Sequence, residues 1–203
     1  MRAVPGWAVV TAILAPLFLL GGLVWAPTRQ SVGYSSTRDT ISSLAGLGAA
    51  DRWIMVAGLA GLGLSYIATG IGLRPAALPG RIVMIFGGVA CLLSAVFPQP
   101  RAGTSEMHGI VAGVGFIALA VWPAFAFHTH RLAPWSLRPL AALTATAVLL
   151  GLLFWFTVEL FTRGDQIGLT ERFLAGAESL WPVVVAVTAR QLHPELAAAV
   201  AKP

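Results

Sequence analysis

Six long apolar stretches restrict this chain to folds that span a membrane. They cover residues 6–26, 52–73, 81–97, 107–127, 139–161 and 172–190. A helix rises about 1.5 Å per residue, so each stretch can cross a hydrocarbon core of about 30 Å, the third only just. The sequence therefore predicts an all-α fold, an integral membrane bundle of six transmembrane helices that forms a single domain over residues 1–203.

The composition agrees with a membrane protein. Only 10% of the residues are charged, against about 25% in soluble proteins, and the mean hydropathy is +0.82. The net charge of +5 comes from single basic residues at the ends of apolar stretches. That pattern is typical of topology signals and not of a nucleic-acid interface. We therefore expect membrane lipids as partners, with a membrane-protein partner as a further possibility and no nucleic acid.

The connections between the stretches predict an orientation. The linkers 74–81 and 131–138 are short, carry two arginines each and lie at the same end as both termini, with Arg2, Glu195 and Lys202. Cytoplasmic loops are enriched in basic residues. The sequence thus predicts a multi-pass protein of the plasma membrane with both termini in the cytoplasm.

Alternation of the six spans brings seven of the eight acidic residues to the opposite, outer end, together with His108. Ionisable groups at or inside a membrane are costly and tend to mark working sites. The candidate polar site at this end consists of Arg38, Asp39, Ser42, Glu106, His108, Glu159, Glu171, Arg172 and Glu178.

Glu178 is the least ordinary member of this set. It follows Glu171 by seven positions, so it lies on the same helix face and about 10 Å deeper in the membrane. An unpaired carboxylate there would cost several kcal/mol, so it must pair, take up a proton or meet water. Arg38, Arg172 and His108 are its candidate partners, and a purely structural ion pair is the alternative to a functional role.

Local patterns predict the details of this outer end. Apolar residues recur at every third position within residues 37–47, which predicts a short amphipathic helix capped by Ser36 or Thr37. This helix either covers the end of the bundle or faces a ligand. We expect N-caps at Asp51, Ser105 and Thr170, at the starts of spans 2, 4 and 6.

Two residue pairs predict packing and charge contacts. Gly109 and Gly113 stand four residues apart in span 4, as in helices that approach closely. Glu159 and Arg163 have the spacing of an ion pair on one helix face. No cofactor or metal is predicted, because His128 and His130 point apart on a helix and the chain has no HExxH motif.

Three segments carry a resemblance to a known family. They are the string from Tyr34 to Gly46, the Phe97-Pro98 pair with His108-Gly109 after a short loop, and Gly168-Leu-Thr-Glu-Arg172. On these motifs the chain resembles the DUF998 family, six-span membrane proteins of prokaryotes that are abundant in actinobacteria. The family pattern implies an acidic residue after Phe-Pro, where this chain has Gln99. More distantly it is similar to the DRAM and Sfk families, which implies lipid or GPI-anchor handling.

Four functions remain open on this evidence. The outer site could hold a lipid or lipid-linked head group, with Arg38 and Arg172 at the phosphate. An intramembrane hydrolase would use His108 as base or metal ligand, Glu178 or Glu106 as acid and Ser42 as nucleophile. A proton-coupled transporter would use Glu178. In a non-catalytic membrane subunit the charges would only hold loops together. Because the sequence does not separate these four functions, it leaves enzymatic activity undecided.

Overall fold

The computed structural model describes residues 3–103, 105–130 and 132–200, with side chains as far as Gln191. The described chain is helical and contains no strand. Its α-helices are α1 (Gly6–Trp25), α2 (Ile41–Ala45), α3 (Trp53–Gly72), α4 (Leu78–Val96), α5 (Glu106–Ala126), α6 (Pro139–Thr162) and α7 (Ile167–Val200), with 3-10 turns at Pro27–Arg29 and Trp135–Leu137.

Six of these helices, all except α2, are long and apolar enough to cross a membrane. The predicted all-α bundle of six membrane-spanning helices is therefore confirmed. Arg2, Arg131, Lys202 and the side chain of Glu195, on which the predicted orientation also draws, lie outside the described residues.

The six long helices form a closed ring. Each packs on its neighbours in the order α1, α3, α4, α5, α6, α7, and α7 returns to α1. Contact across the ring between α5 and α7 is sparse. Successive spans run in opposite directions, so α2, the α4–α5 connection and the α6–α7 connection lie at one end of the bundle, here called the α2 end. The α3–α4 and α5–α6 connections lie at the opposite end.

Backbone-to-backbone packing joins α3 to α4. A Cβ atom on Gly63 would lie 2.6 Å from the carbonyl oxygen of Gly88, and a Cβ on Gly88 would lie 2.7 Å from that of Gly63. The close contact predicted at Gly109 and Gly113 is wrong, because a Cβ on either residue has no atom within 4 Å among those described. Gly115 of the same helix faces α4, whereas Gly109 and Gly113 point away from it.

The helix starts at the α2 end agree only in part with the sequence. Ser105 caps α5 as predicted, since its hydroxyl accepts the third N–H of the helix at 3.2 Å. The predicted cap at Asp51 is wrong, because this residue has φ 45° and its carboxylate binds Arg29. The predicted cap at Thr170 is also wrong: α7 begins at Ile167, and the Thr170 hydroxyl donates to the Ile167 carbonyl.

Helix α2 is shorter than the predicted segment 37–47, and its cap is Thr40 and not Ser36 or Thr37. Residues 35–39 are held instead in a turn, in which the Asp39 carboxylate accepts the Ser35 N–H at 2.7 Å. The apolar face of α2 is buried, with Leu44 1% exposed. This small helix therefore packs into the end of the ring and does not lie on its surface.

Replacing Thr40 by alanine is expected to lower the free energy of unfolding by about 1 kcal/mol. The Thr40 hydroxyl accepts the Ser43 N–H at 3.1 Å, and alanine leaves that N–H without its cap. Thermal unfolding in detergent measures the loss. Thr37→Ala is the control, since Thr37 is exposed and its described side-chain hydrogen bond is only to the Ser35 hydroxyl. Equal losses in both variants would contradict the capping role.

Candidate functional site

A cavity of about 50 Å³ lies inside the ring below α2. Admitting one water needs about 10–15 Å³ of free space, so the cavity accommodates a few waters or one small polar group. Every α-helix except α6 contributes to its walls. Most lining side chains are apolar, and the polar ones are Ser42, Tyr66, Cys91, Ser94, Glu171 and Glu178.

Glu178 reaches this cavity from α7 and is only 1% exposed. Its Oε1 atom is buried and has no hydrogen-bond partner among the described residues. None of the described hydrogen bonds of its predicted partners Arg38, Arg172 and His108 reaches it. Burying an uncompensated polar or charged oxygen in a membrane is costly. The carboxyl group therefore requires a proton, a water molecule or a ligand inside the cavity.

Glu171 lines the same cavity but is engaged by α2. One carboxylate oxygen accepts the backbone N–H of Ile41 at 2.6 Å, and the other accepts the Ser42 hydroxyl at 3.4 Å. Its side chain is 2% exposed. Charge-assisted hydrogen bonds of this kind are stronger than neutral ones, so Glu171 fixes the first turn of α2 over the cavity.

Arg172 fastens the first loop to α7. Its Nη1 donates to the carbonyl oxygens of Asp39 at 2.8 Å and Gly168 at 2.7 Å, and its Nη2 donates to the Tyr34 hydroxyl at 2.6 Å. The backbone N–H of Leu169 adds a bond to the Thr37 carbonyl at 3.0 Å. We call the contacts of Leu169, Glu171 and Arg172 with residues 34–42 the latch.

His108 is buried near the start of α5, with 2% exposure, but it is not among the residues that line the cavity. Its Nδ1 lies 2.7 Å from the carbonyl oxygen of Phe97. A carbonyl only accepts, so we assign the hydrogen to Nδ1. The Nε2 atom is buried without a partner among the described residues. Ala112, one helical turn further along α5, lines the cavity, but the described hydrogen bonds of His108 do not join it to Ser42. A nucleophile–base pair is thus not assembled in this arrangement.

Three of the predicted site residues, Arg38, Glu106 and Glu159, are not buried and belong neither to the cavity nor to the latch. Arg38 is exposed and donates only to a backbone carbonyl at 3.5 Å, and Glu106 is exposed at the start of α5. Glu159 accepts the Gln166 N–H at 3.1 Å. The predicted ion pair of Glu159 with Arg163 is wrong, because it is absent from the ion pairs of the described residues. Arg163 instead adopts the left-handed conformation that ends α6. Asp39 belongs to the latch through its carbonyl oxygen.

Comparison with known proteins places the whole bundle in one family. A family model described as "Protein of unknown function (DUF998)" matches residues 9–188. The chain belongs to the DUF998 family. A search of the curated proteins and a search of the solved structures found no match to it. Because the matched region runs from α1 into α7, this DUF998 protein contains the cavity and the latch within its family region.

The predicted site lacked three polar residues of the cavity, Tyr66, Cys91 and Ser94. Tyr66 of α3 is 1% exposed, and Ser94 of α4 is 9% exposed and donates its hydroxyl to the Ala90 carbonyl at 3.0 Å. The sequence did carry a signal for Tyr66. Tyrosine is enriched at the membrane interface, so a tyrosine in the middle of an apolar span is unusual. Within the part of the chain that the structure describes, no three His, Cys, Asp or Glu side chains are grouped so as to hold a metal ion.

An ion pair at the rim of the α2 end was also missed. Arg29 Nε donates to the Asp51 carboxylate at 2.8 Å. The hydrogen bond from Arg29, together with its positive charge, lowers the pKa of Asp51 from its usual value. Both side chains are well exposed, so this pair is a surface contact of small energetic weight.

Proposed function

We propose that this DUF998 protein binds the polar head group of a membrane lipid in the cavity at Glu178, and that the group bound there is a primary ammonium. The observation that carries the proposal is the carboxyl group of Glu178. It is fully buried in a membrane-spanning helix, and its Oε1 atom has no partner among the described residues. A donor brought by a ligand supplies the contact that the protein leaves out.

The charge of the cavity favours a cationic group. Glu171 and Glu178 are both among its lining residues, and none of the described residues that line it is basic. Arg172, a candidate for binding phosphate, already donates three hydrogen bonds, two of them within the latch. Recognition therefore depends on a donor that meets carboxylate oxygens, and an ammonium group is such a donor.

The size of the cavity selects among cationic groups. A volume of about 50 Å³ suits a group close in size to a few waters. A primary ammonium, as in an aminophospholipid, meets this limit better than a trimethylated one, which also lacks N–H donors. A lipid head group that carries a primary ammonium is therefore the preferred ligand class.

One side of α5 offers a path from the bilayer to the cavity. Gly109 and Gly113 stand beside open space, and Ala112 and Phe116 on the same side of the helix line the cavity. Phe116 also contacts Phe156 of α6 edge-on, with ring centroids 5.5 Å apart. A lipid would thus approach along the glycine face and reach the cavity beside Phe116.

The test is the lipid content of the purified protein and of its Glu178→Gln variant. Native mass spectrometry in mild detergent, with added phosphatidylethanolamine or phosphatidylcholine, measures retention of each lipid. We expect the wild type to retain phosphatidylethanolamine preferentially and Glu178→Gln to lose at least about tenfold of that affinity, equivalent to about 1.4 kcal/mol. The amide keeps the size of the side chain but removes the charge.

Glu106→Gln is the matched control, because Glu106 lies at the same end of the bundle but is exposed. It should retain phosphatidylethanolamine as the wild type does. Equal retention of the two lipids by the wild type, or equal losses in both variants, would contradict the proposal. In that case the non-catalytic subunit would be the better account of the buried charges.

A further inference from the structure

A second, larger hollow lies at the opposite end of the bundle, on the bilayer side of α6 and α7. It is a groove of about 610 Å³ between these helices. Its walls are almost entirely apolar, and Ala145, Val148 and Leu149 of α6 face Ala177, Leu180 and Val184 of α7 across it. This volume is within the range of ligand pockets, about 300–1,000 Å³. The groove is separate from the cavity at Glu178, with which it shares no lining residue.

The mouth of the groove has the side chains of a membrane interface. Trp135 and Arg138 line it directly before α6 begins at Pro139. The rings of Trp135 and Trp181 meet edge-on, with centroids 6.3 Å apart. Tryptophan and arginine are typical of the level of the lipid head groups. The groove thus runs from that level into the hydrocarbon region.

The charge at this end identifies the kind of occupant. The described charged side chains there are all basic: Arg74, Arg81, Arg138 and Arg190. Arg138 is exposed and its Nε donates to the Ala133 carbonyl at 3.2 Å, which holds the guanidinium at the groove mouth. An anionic lipid complements these basic side chains.

We propose that this groove binds one anionic phospholipid. An acyl chain lies between α6 and α7, and the phosphate lies at the level of Arg138. Because this site is distinct from the Glu178 cavity, it does not depend on the function proposed above. Together with the proposed site at Glu178, which would bind an ammonium group, the groove would give the protein two lipid sites at opposite ends of the bundle, the second of them for a phosphate.

Filling the groove tests this assignment. Ala145→Phe places a ring among the lining residues, whereas Ala147→Phe places the same ring on an exposed part of α6 that does not line the groove. Native mass spectrometry with phosphatidylglycerol and phosphatidylcholine measures binding to the full chain. We expect at least about tenfold preference for phosphatidylglycerol in the wild type, a comparable loss in Ala145→Phe and no loss in Ala147→Phe.

Other outcomes would overturn the assignment. Equal binding of the two lipids, or equal effects of the two phenylalanine variants, would mean that only bulk lipid covers α6. Dissociation of a dimer by Ala145→Phe without loss of lipid would assign the groove to a second copy. If Ala145→Phe does not fold, Ala141→Leu fills the same groove with a smaller side chain. Glu178→Gln should leave phosphatidylglycerol binding unchanged, which separates this test from that of the proposed function.

Discussion

Replacing Gly88 by alanine is expected to destabilise the bundle by about 1–3 kcal/mol, as overpacking of a close contact does. The new Cβ would lie 2.7 Å from the Gly63 carbonyl oxygen and 3.0 Å from the Ile67 backbone nitrogen. Backbone atoms cannot rotate aside as a flexible side chain does, so α3 and α4 must separate. Thermal unfolding of the purified protein, followed by circular dichroism, measures the change.

Gly113→Ala is the control for this prediction, since a Cβ there meets no described atom within 4 Å. Alanine in a helix interior is favoured over glycine by about 0.5–1 kcal/mol, so this variant should be as stable as the wild type or slightly more so. Similar behaviour of the two variants would show that α3 and α4 do not approach through their glycines.

Removal of the Arg172 side chain is expected to release the first loop and to cost about 3 kcal/mol. Hydrogen bonds to a charged group contribute about 1.5–3 kcal/mol each and are not additive. Arg172→Ala removes all the donors to Asp39, Gly168 and Tyr34. Limited proteolysis of the first loop should become much faster, and the unfolding temperature should fall.

Arg38→Ala is the matched control, because Arg38 lies in the same loop, is exposed and donates only at 3.5 Å. Its stability should stay within about 0.5 kcal/mol of the wild type. Arg172→Lys should rescue little, since an ammonium group cannot reproduce the planar fork of the guanidinium. Loop cleavage at the same rate in Arg172→Ala and Arg38→Ala would show that the latch does not hold the loop.

The fold was predictable because the membrane-spanning helices are continuous apolar runs. Four of them begin within one residue of the predicted position, and the ends of spans 1 to 5 agree equally closely. The largest error at a start concerns α7, which begins at Ile167 and not at residue 172. The sequence around Gly168 and Thr170 is typical of a loop that ends in a helix cap. Instead, the Thr170 hydroxyl donates to a carbonyl within the helix, and the Leu169 N–H donates to the first loop.

The candidate site was predictable in its location and not in its contacts. Alternation of spans and the count of acidic residues were enough to place Glu171 and Glu178 at one end. Their partners were missed because several are backbone groups: the Ile41 N–H for Glu171, the Phe97 carbonyl for His108 and the Asp39 carbonyl for Arg172. Every residue type carries these groups, so no sequence pattern marks them.

The latch also sets an order in which the protein can be completed. Glu171 holds Ile41 across 130 positions of the chain, and Arg172 reaches Asp39 across 133. During synthesis the first loop is therefore exposed while spans 2 to 5 are inserted, and it is held in place only when the sixth arrives. Helix α7 thus fixes α2 over a cavity whose first lining residue comes from α1. A chain interrupted after α6 therefore lacks the contacts that hold the first loop in place.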